Sequence, residues 1–352
     1  MTTKIRIAAL LAVAMFPLAS FAHASVTQAD AVAPRQKFLP KEAVTQRVAG
    51  LEKPVEILRD RWGIAHIYAQ TEHDLFFAQG YNAARDRLFQ FELWRLQATG
   101  TAAAVFGEKE LKRDIGARLH RYRGDLNQEL TFYHPNGVAI VDAFVAGVNA
   151  YVAETERNPA LLPMEFGLLG IKPQRWTPEV VISRHQGLLT NLTYEVALAK
   201  LISGIGAERV RKLQYFQGGE PVLHADPALD LAALPDNVLE LYTAFRQPMK
   251  FDPQYIVAAQ RNDRQSYRQL AANLAEDMLT PKRDIGSNNW IIHGSRTENG
   301  YPLMANDPHR AITVPSLRYW VHLVGPGWNV IGGGEPCCRA SPSGTTNMAP
   351  GG

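Results

Sequence analysis

Between Ile285 and Arg310 the chain reads Gly-Ser-Asn-Asn-Trp-Ile-Ile, then Asn299-Gly300, then an apolar run from Tyr301 to Ala305 that leads into Asn306-Asp307-Pro308-His309. An Asn-Gly pair between two apolar runs is the strongest short hairpin signal available. The spacing therefore predicts a β-hairpin with Ser287 just ahead of its first strand. As an internal residue, Ser287 is only a polar residue leading into a strand. If the chain is cut between Gly286 and Ser287, the new amino terminus carries a hydroxyl and a free α-amine on one residue. An α-amine has a pKa near ~8, so at neutral pH a useful fraction is neutral and can act as general base. Gly286 suits the cut, because a residue without Cβ tolerates the strained backbone that an N-to-O acyl shift requires.

The segment SNNWIIHGSRTENGYPLMANDPHR, residues 287–310, resembles the start of the β subunit of the penicillin acylase family of N-terminal serine nucleophile (Ntn) hydrolases. That family opens its β chain with Ser-Asn, an aromatic two residues later, a strand, a turn and an N-D-P-H type motif. Residues 55–95 resemble the opening of the family's α subunit, in which a hairpin leads to a helix with an A-x-D-R-L-x-Q pattern, here Ala84, Asp86, Arg87, Leu88 and Gln90. One departure is Ala65, where a proline is commoner.

The resemblance implies an α+β fold, an Ntn-hydrolase αββα sandwich with a mainly helical α-subunit region. It implies self-cleavage at Gly286-Ser287, Ser287 as catalytic nucleophile, and His309 as a contributor to the oxyanion hole or a support for the serine. Read as a residue alone, His309 is a histidine in a turn. Leu189 and Leu192 are implied as walls of the acyl pocket, and Glu195 as a ligand of a structural calcium, with no cofactor needed for catalysis. Glu195 reads equally well as a solvated helix residue, since calcium takes six to eight oxygens and the family draws most of them from further along the β subunit.

Along the chain, Val55 to Tyr68 reads as a hairpin around Arg59-Asp60-Arg61-Trp62-Gly63. Glu72 to Leu96 has the apolar spacing of one long amphipathic helix, capped by Thr71 and ended by Gly100. Asp86 and Arg87 read as an ion pair or polar network fixing that helix against its partner chain, and His66 and His73 as structural, because no second ligand stands at metal-binding spacing. Helical patterns continue from Val138 to Tyr151. Thr177-Pro178 opens a further helix or helix pair reaching Leu201. Arg318 to Val324 and Trp328 to Ile331 read as strands that continue the sheet begun at Ser287.

Residues 1–24 read as a secretory signal peptide: Lys4 and Arg6 as the basic region, Ile7 to Phe21 as an apolar run interrupted by Pro17, and Ala22-His23-Ala24 as the cleavage site. A periplasmic or secreted location follows as an expectation. Without Lys4 and Arg6, 35 basic residues face 34 acidic ones, a balance that argues against nucleic acid or a membrane surface as partner. The expected organisation is 1–24 signal peptide, 25–217 helical α-subunit-like region, 218–286 α-chain end and spacer peptide, 287–336 start of the β subunit, and 337–352 a turn-rich tail. That tail holds the only cysteines, Cys337 and Cys338. It departs from the family abruptly and is expected to be the product of a one-base frameshift after Pro336, which would truncate the β subunit.

The function expected from the resemblance is hydrolysis of an N-acyl amide, a β-lactam side chain or an N-acyl-homoserine lactone, by α and β chains cut from one precursor. The rival, of a different class, is a catalytically inactive truncated remnant. A Ser-His-Asp hydrolase or a metal hydrolase is disfavoured, since neither a G-x-S-x-G elbow nor an H-E-x-x-H motif is present.

Overall fold

A computed structural model describes residues 44–185, 192–216, 287–308, 315–335 and 345–346, with residues 233–247, 252–258 and a few isolated positions between 219 and 249. The expected signal peptide, Leu189, Gly286, His309 and all of the tail but two residues lie outside the described residues.

Strands β1 (Glu56–Arg59) and β2 (Ala65–Tyr68) form the expected antiparallel hairpin, with Ile57 opposite Ile67 and Arg59 opposite Ala65. Asp60 Oδ1 accepts from the N–H groups of Trp62 (2.8 Å) and Ile64 (2.9 Å), and Gly63 takes φ +80° to close the turn. Burial raises the Asp60 pKa, but these two donors and His66 outweigh it and hold the carboxyl below its usual range.

Helix α1 (Glu72–Thr99) starts where Thr71 Oγ1 accepts from Asp74 N–H at 3.0 Å and stops at Gly100, whose φ of +62° is left-handed. Two features differ from expectation. The helix is buried continuously from Asp74 to Ala84 rather than along one stripe, and its regular backbone breaks at Arg87, with φ −140° and ψ 27°. Burial on all sides follows from its place between helix α5 (Gly137–Arg157) and the sheet. The helix pair α1/α5 touches backbone to backbone: a Cβ on Gly147 would lie 1.9 Å from Phe77 O, and one on Gly80 2.1 Å from Phe144 O. Among the described residues α5 is the one helix long and apolar enough to cross a bilayer. Here Ile140, Val141, Phe144, Val145 and Val148 are buried in the protein instead, against α1 and its neighbours.

Shorter helices complete the layer: α2 (Ala103–Phe106), α3 (Leu111–His120), α4 (Leu126–Tyr133), α6 (Met164–Leu169), α7 (Pro178–His185), α8 (Leu192–Ile205), α9 (Ala207–Leu213) and α10 (Glu240–Arg246). Helix α7 begins at Pro178, as Thr177-Pro178 suggests.

The later strands are β3 (Ser287–Ile292), β4 (Leu303–Pro308), β5 (Tyr319–Gly325), β6 (Trp328–Gly334) and β7 (Thr345–Thr346). The sheet order is β1-β2-β5-β6-β7, while among the described residues β3 and β4 pair only with each other. So β5 and β6 do not continue the sheet begun at Ser287. Instead β5 runs parallel to β2, with Ala65 opposite Val321 and Ile67 opposite Leu323. Those four side chains present one apolar face to Leu75, Phe76 and Ala78 of α1 and Ile140 and Ala143 of α5, and this burial selects β2 as the neighbour. The tail, which has no strand pattern in its sequence, supplies β7, with Thr345 opposite Ile331.

Candidate active site

Ser287 is the first residue of β3 rather than a residue ahead of the strand. The antiparallel register sets Ser287 opposite Pro308, Asn288 opposite Asp307 and Asn289 opposite Asn306. The first residues of the expected β chain and its Asn-Asp-Pro segment are thus brought together by backbone pairing.

The connection between these strands is longer than a two-residue Asn-Gly turn. Residues 293–302 form it, with a 3₁₀ turn at Gly294–Arg296 and Gly300 at φ +74°. Gly294 lies under the Gly300 carbonyl, where a Cβ would come within 2.1 Å of the oxygen, and Thr297 Oγ1 donates to the carbonyls of Gly294 (2.9 Å) and Tyr301 (2.7 Å). These contacts use Asn299-Gly300 as one corner of a larger loop. The hairpin is exposed, Trp290 at 53% and Ile291 at 71%.

Of the expected pocket and metal residues, Leu192 and Glu195 are among the described residues. Leu192 and Glu195 stand three apart on the first turn of α8, so they share a face; Leu192 is half-buried and Glu195 exposed. No group of three or more His, Cys, Asp or Glu gathers into a metal site among the described residues. Calcium takes six to eight oxygens, so Glu195 would be one ligand of several.

A polar cluster ties the two parts of the chain together. Asp86 on α1 receives Arg59 Nη2 at 2.7 Å and the Tyr319 hydroxyl at 2.8 Å, and Asn82 Nδ2 also reaches the Tyr319 hydroxyl. Arg87 Nη1 donates to the Ser316 carbonyl at 2.9 Å, and Trp328 Nε1 donates to Glu72 Oε2 at 2.8 Å. Burial pushes the Tyr319 pKa far up, and the Asp86 charge pushes it further. Burial acts against the Arg59 charge, but Asp86 outweighs it and the Arg59 pKa is raised. The A-x-D-R-L-x-Q pattern marks Asp86 and Arg87 in the sequence. Nothing local marks Arg59 or Tyr319, which come from distant parts of the sequence. The two histidines read as structural are held as such: His66 Nδ1 is 3.0 Å from His322 Nδ1 across the β2–β5 pair, and His73 Nδ1 is 3.3 Å from Asp74 Oδ1.

The described residues define an α+β chain with a helical layer on a mixed sheet and a separate hairpin in which a serine heads a strand paired to an Asn-Asp-Pro strand. The family profile described as Penicillin amidase matches residues 54–347. The chain is 32% identical over 300 residues to Penicillin acylase 2 proenzyme of Pseudomonas sp. (strain SE83), an alignment covering 84% of this chain and 35% of that protein. It is 26% identical to Penicillin G acylase of Escherichia coli, over 79% of this chain and 36% of that protein. Acyl-homoserine lactone acylase QuiP of Pseudomonas aeruginosa is 29% identical, over 84% of this chain and 32% of that protein. A solved structure, a thermostable penicillin G acylase from Alcaligenes faecalis in tetragonal form, aligns at a TM-score of 0.40 and 26% identity, over 49% of this chain and 98% of that one. The chain belongs to the penicillin amidase family. It spans about a third of the length of the curated relatives it matches.

Proposed function

We propose that this chain is an amidohydrolase of the penicillin acylase type that cuts itself between Gly286 and Ser287 and then hydrolyses an N-acyl amide. The observation that carries the reading is Ser287 at the head of β3, paired opposite Pro308 in a chain of the penicillin amidase family. Ser287 Oγ attacks the amide carbonyl, and its own α-amine takes the hydroxyl proton through a water. The oxyanion that forms is held by hydrogen-bond donors that include the His309 region; losing one such donor typically costs about 100 to 1000-fold in rate. The α-ammonium returns the proton to the nitrogen of the leaving amine, and the freed α-amine then takes a proton from the water that attacks the acyl-serine, releasing the acid and restoring the serine hydroxyl.

The relatives are named for penicillin and acyl-homoserine lactone, both N-acyl amides of small molecules, and that is the substrate class proposed here. Partners are the α and β chains of one precursor. The leader-like first 24 residues support export to the periplasm or outside. The same reading carries a structural calcium with Glu195 among its ligands, its other oxygens coming from outside the described residues. It is established if added calcium raises the melting temperature and Glu195→Gln abolishes the rise. The activity test is release of primary amine from penicillin G and from N-acyl-homoserine lactones of graded acyl length, beside the Ser287→Ala variant. Turnover lost in the variant supports the reading; no turnover by the wild type on any of them refutes it for this chain.

A second reading is favoured by the exposure of Trp290, Ile291, Leu303 and Met304 on the β3–β4 hairpin and of Trp320 and Leu58 on the sheet. It is that this polypeptide is a catalytically inactive remnant with uncovered apolar strands, prone to associate. The same assay decides between the two.

A further inference from the structure

Residues 240–258 fall within the stretch assigned by resemblance to the chain end and spacer, yet its described residues, 240–247, 249 and 252–258, fill a gap in the helical core. Tyr242 and Phe245 of α10 are buried against the His120 ring, at centroid distances of 5.7 and 5.5 Å. Gly116 of α3 lets the α10 backbone come so close that a Cβ there would lie 2.3 Å from Leu241 O. Arg113, also on α3 and buried, pairs with Glu110 at 2.5 Å and donates to the carbonyls of Phe245 (3.3 Å) and Gln247. Further on, Met249 and Ile256 join the core that holds Phe106 and Phe166, with Ile256 1% exposed, and Val257 N–H donates to Leu168 O at 2.9 Å. The Tyr255 ring meets Phe106 edge-on at 5.9 Å and carries the Lys109 ammonium 4.7 Å from its centroid.

We propose that residues 240–258 are a permanent strap of the mature protein, the last packed part of its amino-terminal chain, so that any excised spacer begins beyond Ala258. Removing the strap would open the core around Phe106 and Phe166 to water and strip the Phe245 and Gln247 carbonyls from a buried guanidinium, and both changes oppose a folded product. A surface spacer would show neither the backbone approach at Gly116 nor the burial of Ile256.

The proposal rests on the self-cleavage reading only for the existence of a second cut, and two experiments keep the two apart. In the processed protein, mass spectrometry of the amino-terminal fragment is expected to place its end at or beyond Ala258, and Ile256→Ala is expected to lower the Tm of that protein by about 5–10 °C. A folded product whose amino-terminal fragment ends before Glu240 overturns the proposal. In the uncut Ser287→Ala chain, limited proteolysis is expected to leave a stable fragment that includes Ile256. A stable, folded fragment lacking 240–258 overturns it equally, whatever happens at Ser287.

Discussion

Replacing Tyr319 by phenylalanine removes a single oxygen from the contact between β5 and α1. In the wild type that hydroxyl donates to Asp86 Oδ2 at 2.8 Å and accepts from Asn82 Nδ2. A hydrogen bond to a charged group contributes about 1.5–3 kcal/mol. Asp86 keeps Arg59 at 2.7 Å, so its charge is not stranded, which favours the lower end; fully buried Asn82 loses an acceptor, which favours the upper. The expected cost is about 2 kcal/mol, or a fall in Tm of roughly 4–8 °C. The pH dependence follows from the same geometry. Burial and Asp86 raise the folded-state pKa of Tyr319 well above the unfolded value near ~10, so the neutral phenol stabilises the fold fully below pH ~10. That contribution is lost as pH rises beyond it, because the unfolded tyrosine ionises while the folded one resists. Tyr81 and Tyr151 are raised by burial too, but both remain in the variant, so the difference between the two proteins isolates Tyr319. Thermal melts followed by circular dichroism at pH 7.5 and pH 10.5 are the assay. Tyr319→Phe should melt lower at pH 7.5, with the gap narrowing at pH 10.5. Equal melting temperatures at pH 7.5, or a gap that does not change with pH, would refute the reasoning.

Two further perturbations test the helical layer. Gly147→Ala places a methyl 1.9 Å from Phe77 O and 2.9 Å from Tyr81 N, so α1 and α5 must separate, and a loss of about 3 kcal/mol is expected in the urea midpoint. Asp74, fully buried, accepts from the N–H groups of Glu52 (2.8 Å) and Lys53 (3.0 Å). Burial raises its pKa, but these donors with Thr71 and His73 outweigh it, so the folded pKa lies below the usual carboxylate value. Its contribution is therefore present above pH ~4 and lost as pH falls through the folded pKa. Asp74→Asn should lower stability at pH 7 by about 1–3 kcal/mol and flatten the acid limb of the stability curve, read by denaturant titrations from pH 7 to pH 3.

The legible parts of this fold are those whose cause is local. Asp60 to Gly63 announces the β1–β2 turn because an aspartate that bonds its own backbone and a glycine at positive φ are sequence-near neighbours. Thr71 and Gly100 bracket α1 for the same kind of reason. The β2–β5 pairing joins Ala65 to Val321, and parallel pairing at that separation leaves no local trace; adjacency in sequence wrongly favoured β3–β4 as the neighbour. Asn299-Gly300 marks the β3–β4 hairpin, but the length of its loop from His293 to Pro302 depends on the approach of Gly294 to Gly300, which has no signal in the sequence. Helix α10 falls in the stretch expected to be chain end and spacer; its seven residues are too few for a period to stand out, although Tyr242 and Phe245 carry its buried face. Of the candidate site, Ser287 and the Asn306-Asp307-Pro308 run were legible as motifs, and the structure adds their register.

The central claim, that Ser287 becomes an amino terminus, is tested most directly by intact mass and amino-terminal sequencing of the purified chain beside Ser287→Ala. The account predicts a wild-type fragment that begins Ser-Asn-Asn-Trp and a variant that stays joined at Gly286-Ser287. A wild type that remains uncut there under the same conditions, or a variant that is cut at the same bond, would contradict it.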